Sequence, residues 1–527
     1  MHIWNLLQTR ARSDATSPAY VFEDDIGTWG RVYDKSLRFA NALIGLGVTP
    51  GDRVAILADN GLESFESYFG CLRAGAVRTG INPRLTTVEI EAQLAVAEPK
   101  VILVDSIHEE VLAKAISGVN LRSLEHVIGL RAGHNQSLDY QDLVANREAV
   151  EPLIPLDNGA LVAIMFTSGS TGAPKAVMYT NDRIALHLYT SVASIGMRES
   201  DVWLQNLPVY GAPLIIATWN LVAGNACIVM PKFDIDDELH HIEKYGCTTF
   251  ANSGTLISRL IDHPERSRYD LSSIHTIMYG QGPTSANLLT RAHEALPATK
   301  FFQSYGTTEG TIGIFSALTQ RDHDRAFAAG DSVRLESAGR PLPNVILDIV
   351  DDDGVVLGEG EEGEVRIQSG TVSPGYYQDP DATAEVFRSD GLYTGDVGFL
   401  DETGFLHLVD RRAFMIVSAG YKLSSTEIEN VMVEHPAIAE VCVIGVPDER
   451  WGEAVTAVVV PNPGQLPTEE LREKILTFSR GKLAGYKVPK RLDFTDALPY
   501  SPQGKLLKGD LRKSYLSEGG RRIGAVD

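Results

Sequence analysis

Short apolar runs rich in β-branched residues recur along the first part of the chain: VAIL at 54–57, VILVD at 101–105, LVAIMF at 161–166, ACIVM at 226–230 and TIMYG at 276–280. Between them lie stretches of helical length and period, such as TVEIEAQLAVAE at 87–98 and SANLLTRAHEAL at 285–296. A strand apolar on both faces belongs inside a parallel sheet, and the alternating helices supply its cover. The pattern predicts an α/β fold.

From about residue 345 the pattern changes. VILDIV and EVRIQ flank the turn DDDG, and GFLD and FLHLVD flank ETG, which predicts antiparallel hairpins and a β-rich subdomain. After VDRR at 409–412, the segment SSTEIENVM places Ser424 and Glu427 at the spacing of a capping box, with Ile428, Val431 and Met432 on one helical face. Strands are predicted at VCVIGV (441–446) and AVTAVVV (454–460), and a helix at EELREKILTFS (469–479), so the chain ends in a small α+β domain. The tail EGGRRIGAVD is expected to fray.

A chain of 527 residues exceeds what one core serves, so more than one domain is expected, and 44% apolar residues supply the cores. The net charge of -22 disfavours nucleic acid, whose binding depends on clustered lysine and arginine. Cys71, Cys227, Cys247 and Cys442 have neither metal-ligand nor disulfide-framework spacing and read as buried small hydrophobes. MHIWNLLQTRARSD lacks the apolar core of a signal peptide, and no run is long enough to span a bilayer. A soluble, cytoplasmic protein is expected, in which the NQS sequon at 135–137 is silent.

Candidate chemistry concentrates at FTSGSTGAPKAV, 166–177. A turn of Gly, Ser and Thr exposes backbone N–H groups and hydroxyls to an anion, and Lys175 adds a mobile positive charge. The phosphate loop of the common NTPases needs G-x-x-x-x-G-K-[ST]; here Lys175 lies between Pro174 and Ala176, with no hydroxyl after it to hold magnesium, and that class is disfavoured.

TSGSTGAPKAV resembles the signature loop of the adenylate-forming superfamily, which includes acyl-CoA synthetases, adenylation domains and luciferases. SYGTTEG (304–310), GEVRIQSGTVSPGYYQDPDAT (363–383), YTGDVG (393–398), VDRR, GVPDERWGE (445–453) and PYSPQGKLLKGDLR (499–512) follow in that family's order. The resemblance implies a large N-terminal domain, 1–411, and a small mobile C-terminal domain, 412–527. It also implies a two-step reaction: a carboxylate attacks the α-phosphate of ATP to give an acyl-adenylate and pyrophosphate, and an acceptor then displaces AMP. Charge neutralisation is the main requirement of the first step.

By the same resemblance Thr167, Ser168, Ser170, Thr171 and Lys175 grip the β and γ phosphates, with Gly169 and Gly172 giving the loop its approach. Glu309 ligates Mg2+, Thr307 or Thr308 contacts the α-phosphate, and Tyr305 stacks on adenine. Gly280, Gln281, Gly282, Pro283, Ser304 and Gly306 complete the nucleotide site, Asp396 accepts the ribose hydroxyls and Arg411 assists there. Lys505 is the implied catalyst of adenylation. Arg412 and Ala413 mark the hinge, where Ala413 replaces the usual Asp or Lys.

Tyr210, Gly211, Asn252, Gln281, Gly306 and Gly420 fall at the implied acyl pocket and acceptor channel, and here the chain departs from the family pattern. Gly211 stands where relatives that use CoA commonly carry histidine, either a reshaped channel or drift at a tolerant position. Asn252, Ser253 and Gln281 bring polar groups toward the acid, which disfavours a plain long fatty chain, and SAGYKLSS (418–425) replaces a more regular motif around Gly420. Three readings stay open: an acid–CoA ligase, a ligase that passes the adenylate directly to an amine, and a non-catalytic nucleotide-binding relative. A carrier protein acting in trans as acceptor, and a homodimeric assembly, are likewise open.

Overall fold

The buried apolar runs become adjacent strands of two parallel sheets in the computed structural model, which describes residues 1–167, 174–280, 282, 284–411, 414–418, 421–448, 450–500 and 506–517. The chain divides into two units, Met1–Leu347 with Ile367–Tyr393, and Asp348–Arg366 with Thr394–Asp527.

The first unit carries both parallel sheets. One runs in the order Leu138–Asp139, His126–Gly129, Val101–Val104, Arg53–Leu57, Val77–Gly80, Leu161–Thr167, Lys175–Thr180; only the last strand is antiparallel to its neighbour. The other has nine strands, with Lys300–Tyr305, Thr276–Gly280, Thr249–Asn252, Val202–Gln205, Ala226–Val229 and Pro18–Phe22 mutually parallel. Its edges are finished by antiparallel strands, Asp25–Thr28 on one side and Ser316–Leu318 with Arg340–Pro341 on the other. Helix starts follow local chemistry: Thr86 and Glu89 form a complete capping box for Thr87–Ala97, and Asp234 caps Ile235–Tyr245 by accepting from Asp236 N and Asp237 N. A core of Trp29, Phe65, Phe69, Ala163, Tyr179, Cys227 and Met278 draws residues from both sheets, and each large apolar side chain buried this way contributes about 1.5–3 kcal/mol.

The second unit holds the predicted α+β domain. Ile438–Asp448 and Gly452–Pro461 form one long antiparallel hairpin, flanked by Arg491–Phe494, Ile416–Ser418 and Tyr421–Leu423. Ile428 and Met432 of helix Ser425–Met432 pack with Ile475 of Glu469–Lys482 onto that sheet. The capping box is half formed: Ser424 accepts from Glu427 N, whereas the Glu427 carboxylate takes Lys487 Nζ at 2.5 and 2.7 Å. The strand Leu406–Arg411 pairs antiparallel with Gly391–Leu400, as the ETG turn predicts. Among the described residues no helix is long and apolar enough to cross a membrane, and the predicted frayed tail lies outside them.

Candidate active site

The Gly-Ser-Thr segment is framed by paired strands, Thr167 opposite Lys175. Ser168, Gly169, Ser170, Thr171 and Gly172 lie outside the described residues. Lys175 opens a strand, and its ammonium stands 4.9 Å from the centre of the Tyr376 ring. Tyr376 is carried there by edge pairing: Val177 bridges Tyr376, Met178 N donates to Gly375 O at 3.0 Å, and Tyr377 N donates to Ala176 O at 2.7 Å. Gly375 has φ 140°, and a Cβ there would lie 2.4 Å from Thr383, so the turn that presents Tyr376 requires glycine.

The tyrosine's hydroxyl donates to Glu309 Oε1 at 3.0 Å. Glu309 sits in a single helical turn, Thr308–Gly310, capped by Thr307, whose hydroxyl accepts from Gly310 N at 3.3 Å and keeps its own proton to donate. Ser373 N donates to Glu309 O at 2.8 Å, and Tyr179 donates to Thr308 O at 2.9 Å. Burial, reinforced by the Glu309 charge, pushes the Tyr179 phenol well up, so it remains a donor. Directly after the turn, Thr311 and Ile312 are both left-handed, at φ 58° and 57°. Two successive β-branched residues in that region are strained, a condition that clusters at functional sites.

At the neighbouring strand ends a Cβ on Gly280 would lie 2.4 Å from Ser304 O, and one on Gly306 2.0 Å from Gly313 O, so both glycines are required by close backbone approach. Gly282 is exposed, and Gln281 and Pro283 lie outside the described residues. Tyr305 is only 7% exposed and packs edge-on with Phe315.

In the second unit Asp396 and Arg411 face each other across paired strands, with Arg411 Nε 2.8 Å from Asp396 Oδ1. Gly395, at φ 73°, turns the chain ahead of the aspartate. The adjacent Asp410 accepts from Ser425 N at 2.7 Å, and buried Lys508 donates to Glu429 Oε1 at 2.8 Å. Arg412, Ala413, Gly420 and Lys505 lie outside the described residues.

Asn252, expected at the acyl pocket, is hydrogen-bonded within the protein. Its Oδ1 accepts from Asn206 Nδ2 at 2.7 Å and its Nδ2 donates to Glu238 Oε1 at 3.2 Å, so both ends of the amide have partners inside the protein. Glu238, presented by helix Ile235–Tyr245, has no exposed surface, and burial pushes its carboxyl up to about 7. Gly211 leaves space: an added Cβ would meet only Pro213 Cδ, at 3.8 Å. Tyr210 lines a cleft with Asn60, Arg84, Asn206, Pro208 and Lys232.

Sequence reasoning missed Tyr376, Glu238, Arg84 and Lys232. Tyr376 stood within a quoted motif, directly after the glycine that turns it inward, whereas an exposed Arg or Lys carries no signal before the fold brings it to a cleft. For the implied Mg2+, the described residues hold no cluster of three or more metal-ligating side chains. One carboxylate oriented by a tyrosine suits a cation that retains waters and shares substrate phosphates, so Glu309 fits.

The sequence profile of the AMP-binding enzymes matches residues 7–377, and that of the AMP-binding enzyme C-terminal domain matches 427–505. A feruloyl-CoA synthase of an Amycolatopsis species is 33% identical over 491 residues, spanning 93% of this chain and 94% of its own. The anthranilate CoA ligase AuaEII in complex with anthranoyl-AMP superposes with a TM-score of 0.87 at 26% identity, over 98% of this chain and 97% of that one. The amide bond synthetase McbA from Marinactinospora thermotolerans superposes with a TM-score of 0.85 at 28% identity, over 98% of this chain and 100% of its own.

Proposed function

The chain belongs to the AMP-binding enzymes and is an ATP-using, AMP-forming acid ligase; from that premise we propose that it activates an aromatic carboxylic acid and passes the acyl group to CoA. The observation that carries the acceptor is the cleft beside Tyr210, where Arg84 and Lys232 outnumber the one carboxylate, Asp59, and leave a net positive lining suited to a phosphorylated thiol. The acid class follows the feruloyl-CoA synthase and the anthranilate CoA ligase, whose feruloyl and anthranoyl groups are both aromatic.

In the first step the acid's carboxylate oxygen bonds to the α-phosphorus of ATP and the bond to the pyrophosphate leaving group breaks. Lys175 and Thr167, with Ser168, Ser170 and Thr171, hold the departing phosphates, and Thr307 donates its free hydroxyl proton toward the α-phosphate. Tyr376 holds the Glu309 carboxylate in place, and Mg2+ bound there would supply charge neutralisation at the phosphates. Asp396 and Arg411 orient the ribose, and Lys505 stabilises the charge that develops between carboxylate and phosphorus. In the second step the thiolate of CoA bonds to the acyl carbon and AMP leaves. The C-terminal domain, 412–527, turns about Arg412–Ala413 between the two steps.

We place the activity in the cytoplasm, a reducing compartment that suits four buried, unpaired cysteines. The specific observation favouring an amine acceptor is the open space at Gly211, together with the likeness to McbA. Product analysis by mass spectrometry, with ATP, magnesium, a panel of aryl, alicyclic and medium-chain acids, CoA and benzylamine, separates the two. AMP with an acyl-CoA supports the first, AMP with only an amide moves the protein to the second, and no AMP with any acid refutes both. Lys505→Ala should nearly abolish pyrophosphate release while ATP affinity stays close to wild type.

A further inference from the structure

Arg78 holds a guanidinium inside the protein with no acid beside it. It lies on the strand Val77–Gly80, between Arg53–Leu57 and Leu161–Thr167, and is 2% exposed. Among the described residues no carboxylate pairs with it, and its Nε has no hydrogen-bond partner. Burial lowers its pKa to about 10, so it stays charged at neutral pH. Taking a cation out of water without a counter-charge is costly, and holding a loop does not by itself require one.

Its two terminal nitrogens go to successive carbonyls of one remote segment: Nη1 donates to Tyr210 O at 3.1 Å and Nη2 to Val209 O at 3.3 Å. The same face of the strand admits that segment at Gly80, where a Cβ would fall 1.5 Å from Tyr210 O. From a second side Asn60 Oδ1 accepts Val209 N at 2.8 Å, while Asn60 Nδ2 is tied to Met230 O at 2.8 Å. From a third, Asn206 Nδ2 donates to Glu238 Oε1 at 2.7 Å. A planar guanidinium with two forked donors fixes direction as well as distance, which an ammonium does not.

We infer that Arg78 is a positioning residue for the acceptor step: by gripping two consecutive carbonyls it fixes the wall of the acceptor channel, at the point where Gly211 adds no side chain. The inference rests on the placement of that channel at Tyr210 and Gly211.

The test compares Arg78→Met and Arg78→Lys with wild type in two half-reactions, ATP–pyrophosphate exchange and CoA-dependent thioester formation, with melting temperatures recorded alongside. Arg78→Met should raise the KM for CoA by about tenfold while the KM for ATP in exchange moves by less than about twofold, and Arg78→Lys should fall between them. Equal losses in both half-reactions with a lowered melting temperature would make Arg78 merely structural and overturn the inference, as would an unchanged KM for CoA. Where Arg78→Met fails to fold, Arg78→Lys carries the same comparison. A wild type that acylates benzylamine and not CoA refutes CoA as acceptor, and the ratio is then taken with benzylamine; a wild type that transfers to neither overturns both.

Discussion

Tyr376 touches both charges that the proposed function sets against the phosphates, donating to Glu309 and lying under Lys175. A hydrogen bond to a charged group is worth about 1.5–3 kcal/mol, so Tyr376→Phe should raise the KM for ATP in pyrophosphate exchange by about tenfold or more. Tyr376→Leu also removes the ring beneath Lys175 and should lose about 0.5–1 kcal/mol further. A Phe variant with unchanged KM would show that Glu309 keeps its place without the hydroxyl. Glu238 gives a second test, read in pH. Its carboxyl is raised by burial from 4.5 to about 7, so the folded state holds the proton more tightly than the unfolded chain. The stabilisation is therefore complete below pH 4.5. It declines as pH rises and the unfolded state ionises first, and its loss is complete above about pH 7, amounting to about 3 kcal/mol at about 1.4 kcal/mol per unit. Glu238→Gln has no proton to lose. Its melting temperature should gain on wild type between about pH 5 and about pH 8, and a constant difference would count against the assignment.

Elements differ in how much of them was legible. The runs at 54–57, 101–105, 161–166, 226–230 and 276–280 became parallel strands within a residue or two, because continuous apolar sequence in a short span has few other places to go. The antiparallel edges were not legible: DIGT at 25–28 neither alternates nor is apolar, and it is a strand because Pro18–Phe22 offers it a partner. Thr167 and Lys175 were expected to be phosphate ligands, and that they pair directly across a hairpin follows only from the register. The partners of Asn252 were not legible because they arrive from Asn206 and Glu238, on other elements, and nothing local reports them. Helix Ser425–Met432 supplies the prediction at this scale. Ser424 caps it through Glu427 N at 3.1 Å and also donates to Val409 O at 2.8 Å, so Ser424→Ala should cost about 1 kcal/mol, seen as a lowered melting temperature. The Glu427–Lys487 pair is half exposed and contributes at most about 1 kcal/mol.

At the scale of the whole chain, the two units have separate apolar cores, one including Phe250, Leu260, Ile277 and Phe301, the other Ile416, Ile428, Val455 and Ile475. Scanning calorimetry should therefore resolve two unfolding transitions; one transition with equal calorimetric and van't Hoff enthalpies would mean the units unfold together. The net charge of -22 works against the approach of polyanionic substrates, so under the proposed function Arg84 and Lys232 would be the groups that offset it, and Lys232→Ala should raise the KM for CoA more at low than at high ionic strength. The buried cysteines carry one more consequence. Cys71, Cys227, Cys247 and Cys442 are all enclosed, and burial pushes the thiols of Cys71, Cys247 and Cys442 up to about 12 and raises that of Cys227 well above its ordinary value, so none presents a thiolate to solvent near neutrality. The native chain should thus react slowly with maleimide dyes while folded, which a labelling time course with and without denaturant checks. A cysteine placed at Glu110 in one unit and another at Glu470 in the other, where the side chains are 84% and 77% exposed, would be the reactive pair, ready for fluorescence energy transfer between the units as each substrate is added, with no native thiol to remove first.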